Sequence, residues 1–133
     1  MKSPLAGLLV VAIEQAVAAP FCSARLADAG SRVIKIERPE GDFARFYNNA
    51  APGGSSYFVW LNRGKESVGL DLRLTENRKR LAALIAQANV LVQNLKSGAL
   101  DRLGLGVTKL RQDHPKLICC SISGYGETGA FSS

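Results

Sequence analysis

Four basic or amide side chains follow predicted strands of this 133-residue chain. They are Arg38, Arg73, Asn94 and Arg102. A guanidinium group binds phosphate through two parallel hydrogen bonds, so several arginines at one crevice would suit a ligand with more than one phosphate. The residue pattern leaves a second interpretation open, in which these arginines lie on the surface and only keep the domain soluble.

An acidic residue at the end of the second predicted strand calls for a test of dinucleotide binding. Glu37 lies roughly 20 residues beyond the first strand-to-helix turn, where an acid that binds the ribose of NAD would belong. That turn, residues 14–20, reads Glu-Gln-Ala-Val-Ala-Ala-Pro, and without the glycines of G-x-G-x-x-G its backbone cannot approach a pyrophosphate closely. A matching glycine spacing at 124–129 precedes no predicted helix. We therefore predict no NAD site.

Charge and cysteine usage narrow the classes of partner. The net charge of +6 allows an anionic partner, but the basic residues are scattered and no basic motif interleaved with aromatics predicts nucleic-acid binding. Cys22, Cys119 and Cys120 are odd in number and lack the spacing of a metal site. This usage predicts reduced thiols in a cytoplasmic protein without a bound metal.

The N-terminal segment imitates a secretory signal, because an apolar run at 8–13 is followed by small residues at 16–19. Pro4 lies where a signal peptide would be charged, and Glu14 and Gln15 interrupt the apolar run. We therefore predict no cleaved signal. The run is also too short to span a membrane, so no membrane partner is expected.

The hydrophobic pattern predicts alternating strands and helices in a single domain. Strands are predicted at 8–13, 32–37, 67–72, 90–92 and 117–123, and helices at 20–29, 75–88, 98–103 and 107–113. The unbroken apolar run 8–13 is typical of a central strand that is covered on both faces. The alternation predicts an α/β fold with a doubly wound, Rossmann-like, mostly parallel sheet and helices on both faces. Ligands of such sheets bind at the carboxyl ends of the strands.

Several local predictions accompany this fold. We expect residues 39–56 to form a long exposed loop, and the aromatic-rich segment 57–61 to fill the core. Thr75 is expected to cap the helix that follows it, with Arg78 facing outward. Cys119 and Cys120 should point to opposite faces of the last strand, because side chains alternate along a strand.

Ten short motifs give the chain a resemblance to a known family. They lie at 4–8, 19–22, 26–28, 33–39, 41–42, 61–65, 70–72, 90–94, 98–104 and 121–126. Together, and in this order, they resemble the N-terminal part of a family III (CaiB/BaiF) CoA-transferase. The resemblance covers nearly the whole chain.

The resemblance implies transfer of CoA between a thioester and a free carboxylate, through intermediates formed on an aspartate nucleophile. Coenzyme A would be a substrate, and no metal or NAD is implied. Residues 14–22 are most similar to members that act on short dicarboxylates of the itaconate, mesaconate or citramalate type. A racemase of α-methylacyl-CoA, or a non-enzymatic nucleotide-binding or assembly module, are the alternatives.

The resemblance also implies a set of CoA contacts, which are Val17, Arg38, Leu70, Arg73, Asn94, Leu95 and Arg102. The catalytic aspartate of the family follows further downstream than position 133. Residues 1–133 are therefore expected to be the N-terminal Rossmann-like, CoA-binding portion of a larger fold, inactive alone. The full-length protein would have a second domain and would form an interlocked homodimer.

Overall fold

A computed structural model describes residues 3–132, which form one five-stranded sheet. The strands are β1 (Leu9–Ile13), β2 (Arg32–Glu37), β3 (Lys65–Gly69), β4 (Val90–Gln93) and β5 (Ile118–Ser121). All neighbouring pairs are parallel, and the order across the sheet is β3-β2-β1-β4-β5. The direction of winding therefore reverses between β1 and β4, and a crevice opens there in sheets of this kind.

Helices cover both faces of the sheet, as predicted. They are α1 (Ala18–Asp28), α2 (Ser56–Asn62), α3 (Thr75–Ile85), α4 (Ala99–Arg102) and α5 (Val107–Asp113), with a short 3-10 helix at Phe43–Phe46. Apolar residues of α3, α4 and α5 pack on one face, while α1 packs on the other and α2 lies against α1. The predicted doubly wound α/β fold is confirmed.

The alternation of side chains along β2 shows how the sequence divides the core. Ile34 and Ile36 point toward α3, whereas Val33 belongs to the smaller cluster beneath α1. Lys35 and Glu37 share the face of Val33, because side chains two apart on a strand point the same way. The α1 face of the sheet is therefore apolar near the start of β2 and charged near its end.

The aromatic-rich segment does not fill the core, so this prediction is wrong. Residues 57–61 lie in α2, where Leu61 is buried but Tyr57, Val59 and Trp60 are each about half exposed, at 47%, 45% and 49%. A helix of this length turns only one stripe inward. The ring of Trp60 instead packs at the surface against Phe21, with 5.9 Å between ring centroids.

The loop at 39–56 is only partly exposed. Its residues Asp42, Ala44 and Ser55 are buried, and Asp42 caps the 3-10 helix by accepting a hydrogen bond from the Ala44 N–H at 2.9 Å. Ser55 accepts from the Phe58 N–H at the start of α2. The polar composition of this segment reflects capping side chains that are turned inward, which composition alone does not distinguish from exposed ones.

Two predictions near α3 are also wrong in detail. Thr75 is the first residue of the helix and does not cap it, since Leu74 occupies the capping position without a side-chain hydrogen bond. Arg78 does not face outward, because its guanidinium donates to the carbonyl oxygens of Leu72 and Arg73 at 2.9 and 2.8 Å. The strand predicted at 67–72 is β3, which begins and ends earlier than predicted. Its residues 65–69 pair one by one with residues 33–37 of β2.

Other local predictions hold. The bounds of β2 and α5 are those expected. Cys119 packs against the cluster on the α3 face and Cys120 against the cluster on the α1 face, so the two side chains do point apart. Within residues 3–132 no helix is long and apolar enough to cross a membrane.

Candidate functional site

A cavity of about 520 Å³ opens where three neighbouring strands end. Its walls are residues 13–15 at the end of β1, 36–42 at the end of β2 and 70–73 after β3, together with Leu95 and Leu103. The volume lies within the range of small-molecule sites, about 300–1,000 Å³. Its position at the carboxyl edge of a parallel sheet is where such sheets bind ligands.

One arginine at this cavity is available to bind an anion. The guanidinium of Arg38 lies 5.7 Å from the ring centroid of Phe43 and donates a long hydrogen bond, 3.4 Å, to Oε1 of Gln15. In the part of the chain that the structure describes, no carboxylate lies within salt-bridge distance of it. Arg73 differs, because it makes two 2.8 Å hydrogen bonds to the carboxylate of Asp71 and thereby lowers the pKa of that acid.

Four leucines form an apolar part of the cavity wall. Leu70, Leu72, Leu95 and Leu103 line it, and all four pack on the core cluster beneath α3. An arginine at the rim and leucines inside would suit a ligand that carries both phosphate groups and an apolar or extended arm.

Of the seven predicted contacts, four line this cavity and three do not. Arg38, Leu70, Arg73 and Leu95 do line it. Val17 is exposed in the turn before α1, and Arg102 is exposed at the end of α4. Asn94 lines a second cavity of about 440 Å³ at the ends of β4 and β5, and Leu95 lies in the wall of both cavities. As ligand contacts, all seven stay predictions.

The side chain of Asn94 joins the two loops at the point where the winding reverses. Its Oδ1 accepts from the Gln15 N–H at 3.0 Å, and its Nδ2 donates to the Gln15 carbonyl oxygen at 2.8 Å. Both polar atoms of the amide are therefore used by the backbone of the β1–α1 turn. This contact fixes the separation of the turns after β1 and β4.

The next residue of the same turn has an unusual backbone. Ala16 has φ of +62°, and it is the one residue other than glycine within 3–132 with positive φ. For an L-residue with a Cβ this conformation costs about 1–2 kcal/mol. The Ala16 N–H donates to Oδ1 of Asp42 at 3.1 Å, which stabilises the turn in this form.

Four charged side chains are buried together beside this turn, and sequence reasoning missed them. Lys35 Nζ lies 2.8 Å from Asp42 Oδ2 and 3.6 Å from Glu14 Oε1, and Lys65 Nζ lies 2.7 Å from the same Glu14 oxygen. Each of the four side chains is at most 1% exposed. The available signal was the alternation of β2, which places Lys35 on a buried face between Val33 and Glu37.

This charged cluster also ties α1 to the sheet. Ser23 of α1 donates to Oε2 of Glu14 at 2.6 Å, and Lys65 donates to the carbonyl oxygen of Pro20 at 2.9 Å. Burial lowers the pKa of Lys65, and the Glu14 carboxylate opposes that shift. Because each buried acid faces a lysine, the cluster provides a rigid, neutralised support beneath the turn.

Glu37 is held in a similar way and does not offer its carboxylate to a ribose. It accepts two hydrogen bonds from Arg45, at 2.9 and 2.7 Å, one from the Ser67 hydroxyl at 2.7 Å and one from the Asp42 N–H at 2.7 Å. Burial by itself would raise the pKa of Glu37, but these hydrogen bonds outweigh it and lower the pKa from 4.5 to about 2. Glu37 is therefore an ionised structural acid.

A doubly wound parallel sheet with a leucine-walled cavity at its strand ends places this chain among the α/β folds that commonly bind nucleotide-type ligands at that edge. Within residues 3–132 no group of three or more His, Cys, Asp or Glu is placed to hold a metal ion. The chain belongs to CoA-transferase family III, whose family model matches residues 5–133.

Relatives and solved structures agree with this assignment. The chain is 40% identical over 132 residues to acetyl-CoA:oxalate CoA-transferase of Acetobacter aceti, covering 98% of this chain and 34% of that protein. It is 40% identical over 127 residues to succinyl-CoA:mesaconate CoA-transferase of Haloarcula hispanica, and this match covers 90% of this chain and 32% of that protein. A crystal structure of a CaiB/BaiF family protein from Brucella suis superposes with a TM-score of 0.93 at 39% identity. The superposition covers 99% of this chain and 36% of that protein. The chain thus spans about a third of the length of the curated relatives it matches.

Proposed function

We propose that these residues are the CoA-binding part of a CoA-transferase that moves CoA between an acyl-CoA and a short dicarboxylic acid. The observation that carries the proposal is Arg38, a guanidinium without a carboxylate partner among residues 3–132, at the rim of a leucine-walled cavity. Family membership supports it, as do relatives named for transfer to oxalate and mesaconate.

The chemistry of CoA matches the two parts of the cavity. CoA has three phosphate groups at its nucleotide end, which a guanidinium can bind bidentately, and a long, less polar pantetheine arm. We propose that Arg38 and Arg73 face the phosphates while Leu70 and Leu95 contact the less polar parts. Because Leu95 lines both cavities, a ligand that extends from the first to the second passes over it.

The proposal extends to the remaining features of a family III enzyme. Val17, Asn94 and Arg102 are proposed as further CoA contacts, made by backbone or side chain at the edge of the sheet. The aspartate that accepts the acyl group is proposed to lie outside these residues, so that residues 1–133 alone transfer no CoA. The complete enzyme is proposed to be an interlocked homodimer in the cytoplasm, a location with which the three free cysteines are compatible.

Removal of the Arg38 guanidinium tests the proposal directly. Hydrogen bonds to charged groups contribute about 1.5–3 kcal/mol, so Arg38→Ala is expected to raise the Kd for CoA about 10- to 100-fold. Isothermal titration calorimetry of the wild-type and variant chains measures this change. Pantetheine lacks phosphate groups, and its Kd should be the same for both chains.

The matched control is Arg111→Ala, which removes the same charge from an exposed position on α5, away from the cavity. We expect it to leave the Kd for CoA within about twofold of wild type, since a distant surface charge is screened by salt. Equal weakening of CoA binding by the two substitutions would show that net charge, and not a phosphate site at Arg38, holds the ligand. Tighter binding of NAD or ATP than of CoA would favour a different nucleotide-binding module.

A further inference from the structure

The β1–α1 turn is held from both sides by side chains that are distant in sequence. The side chain of Asn94 makes two hydrogen bonds to the backbone of Gln15, and Asp42 accepts a hydrogen bond from the N–H of Ala16. Between these contacts the backbone takes the left-handed conformation at Ala16. A left-handed conformation is unfavourable for alanine and persists only where the surrounding structure enforces it. The hydrogen bonds made by Asn94 and Asp42 are therefore needed to maintain it.

The carboxylate of Asp42 is held in place by three hydrogen-bond donors. Its Oδ2 accepts from Lys35 Nζ at 2.8 Å, and its Oδ1 accepts from both the Ala16 and Ala44 N–H groups, at 3.1 and 2.9 Å. Its side chain is fully buried. The Asp42 N–H donates to Glu37 at the end of β2. Asp42 lies in the wall of the cavity, but both oxygens of its buried carboxylate are bonded to protein donors, and through these bonds Asp42 links the end of β2 to the turn after β1.

The turn and the arginine at the cavity are coupled through one residue. Gln15 presents its backbone to Asn94 and its side-chain oxygen to Arg38. A change of backbone conformation at Ala16 would move Gln15 on one side and Val17 on the other. The orientation of both, relative to the cavity, thus depends on the hydrogen bond from Ala16 to Asp42.

We infer that Asp42 is a positioning residue, whose buried carboxylate keeps Ala16 left-handed and so prepares the β1–α1 turn to receive the ligand. The identification of this ligand as CoA rests on the proposed function. Holding a turn in its bound conformation raises affinity because the free protein loses less conformational freedom on binding. The role requires a hydrogen-bond acceptor at position 42, and not a negative charge.

Two substitutions separate this role from ordinary stabilisation. Asp42→Asn retains Oδ1 as an acceptor for Ala16 but loses the ion pair with Lys35, whereas Asp42→Ala loses both. Both variants should melt at lower temperature than wild type. The readouts are hydrogen exchange of the Ala16 amide, followed by NMR under native conditions, and the Kd for CoA measured by calorimetry.

In Asp42→Ala we expect the Ala16 amide to exchange at least about tenfold faster relative to core amides of β1, and the Kd for CoA to rise about tenfold. In Asp42→Asn both should stay within about threefold of wild type. Equal losses of CoA affinity in the two variants, or unchanged Ala16 exchange in Asp42→Ala, would overturn the inference. If wild-type chain binds no CoA, the proposed function fails, and Ala16 exchange still decides whether Asp42 positions the turn.

Discussion

Replacing Lys35 by alanine is expected to lower the free energy of unfolding by about 3–5 kcal/mol. The ammonium group lies between the carboxylates of Asp42 and Glu14 in a site from which water is excluded. Removal of one member of a buried ion pair leaves the other charge desolvated and without its partner, which costs far more than the loss of a surface pair. Urea denaturation followed by circular dichroism gives the change, and a loss smaller than about 1 kcal/mol would contradict the arrangement.

The control for Lys35 lies on the same strand. Arg32 makes an ion pair with Glu66 at 2.7 Å, but both side chains are more than half exposed, so Arg32→Ala should destabilise the protein much less. The double substitution Lys35→Met with Asp42→Asn removes both charges of the pair. It should cost less than the two single substitutions added together, because neither charge is then left without its partner.

Glu37 is expected to make stability depend on pH in the acid range. Its pKa in the folded protein is about 2, below the ordinary value of 4.5, so the unfolded chain binds the proton more tightly. This contribution is present in full above pH 4.5 and is lost as the pH falls toward 2. Its size is about 3 kcal/mol, since one unit of pKa corresponds to about 1.4 kcal/mol. Glu37→Gln should therefore be less stable than wild type at pH 6, and the difference should shrink as the pH falls.

Urea unfolding of both proteins at several pH values between 6 and 2.5 measures that difference. Other carboxylates titrate in this range as well, but they are common to both proteins and cancel. Glu66→Gln is a suitable comparison, because the Arg32 hydrogen bond lowers the pKa of Glu66 on an exposed surface, where solvent weakens the effect. A stability difference between wild type and Glu37→Gln that stays constant with pH would show that the Arg45 and Ser67 hydrogen bonds do not stabilise the ionised acid.

The fold could be predicted because its signals are local and repeated. The unbroken apolar run of β1 and the β-branched residues of β2 indicate covered parallel strands, and the stripe of Leu81 and Ile85 indicates the inward face of α3. The aromatic segment of α2 was misassigned because its hydrophobicity suggested burial. The rings of Tyr57 and Trp60 lie at the surface, since a helix as short as α2 presents only part of its circumference to the core.

The cavity could be predicted in outline, because carboxyl ends of parallel strands meet at one edge of a sheet. Arg38, Leu70 and Arg73 follow β2 and β3 and do meet there. The support beneath the site could not be predicted in the same way. The contact between Asn94 and Gln15 joins residues 79 positions apart, and it depends on the register of β1 and β4, which no local pattern encodes.

Lys35 shows a different limit of sequence reasoning. A lysine within a strand is usually placed at the surface, because burying a charge is costly without a partner. Its partners Asp42 and Glu14 come from two loops, and only the folded structure brings them within reach. Charged residues that interrupt an apolar strand on a covered face are therefore a signal of buried ion pairs beside a site.

The central claim, that CoA binds at the carboxyl edge of this sheet, is tested most directly by NMR titration of the ¹⁵N-labelled chain with CoA. We expect saturable shifts of the amide signals at 14–17, 37–42, 70–73 and 94–95, and unchanged signals from α5 and from the amino ends of the strands. Shifts confined to other parts of the chain, or no shifts at millimolar CoA, would contradict the claim.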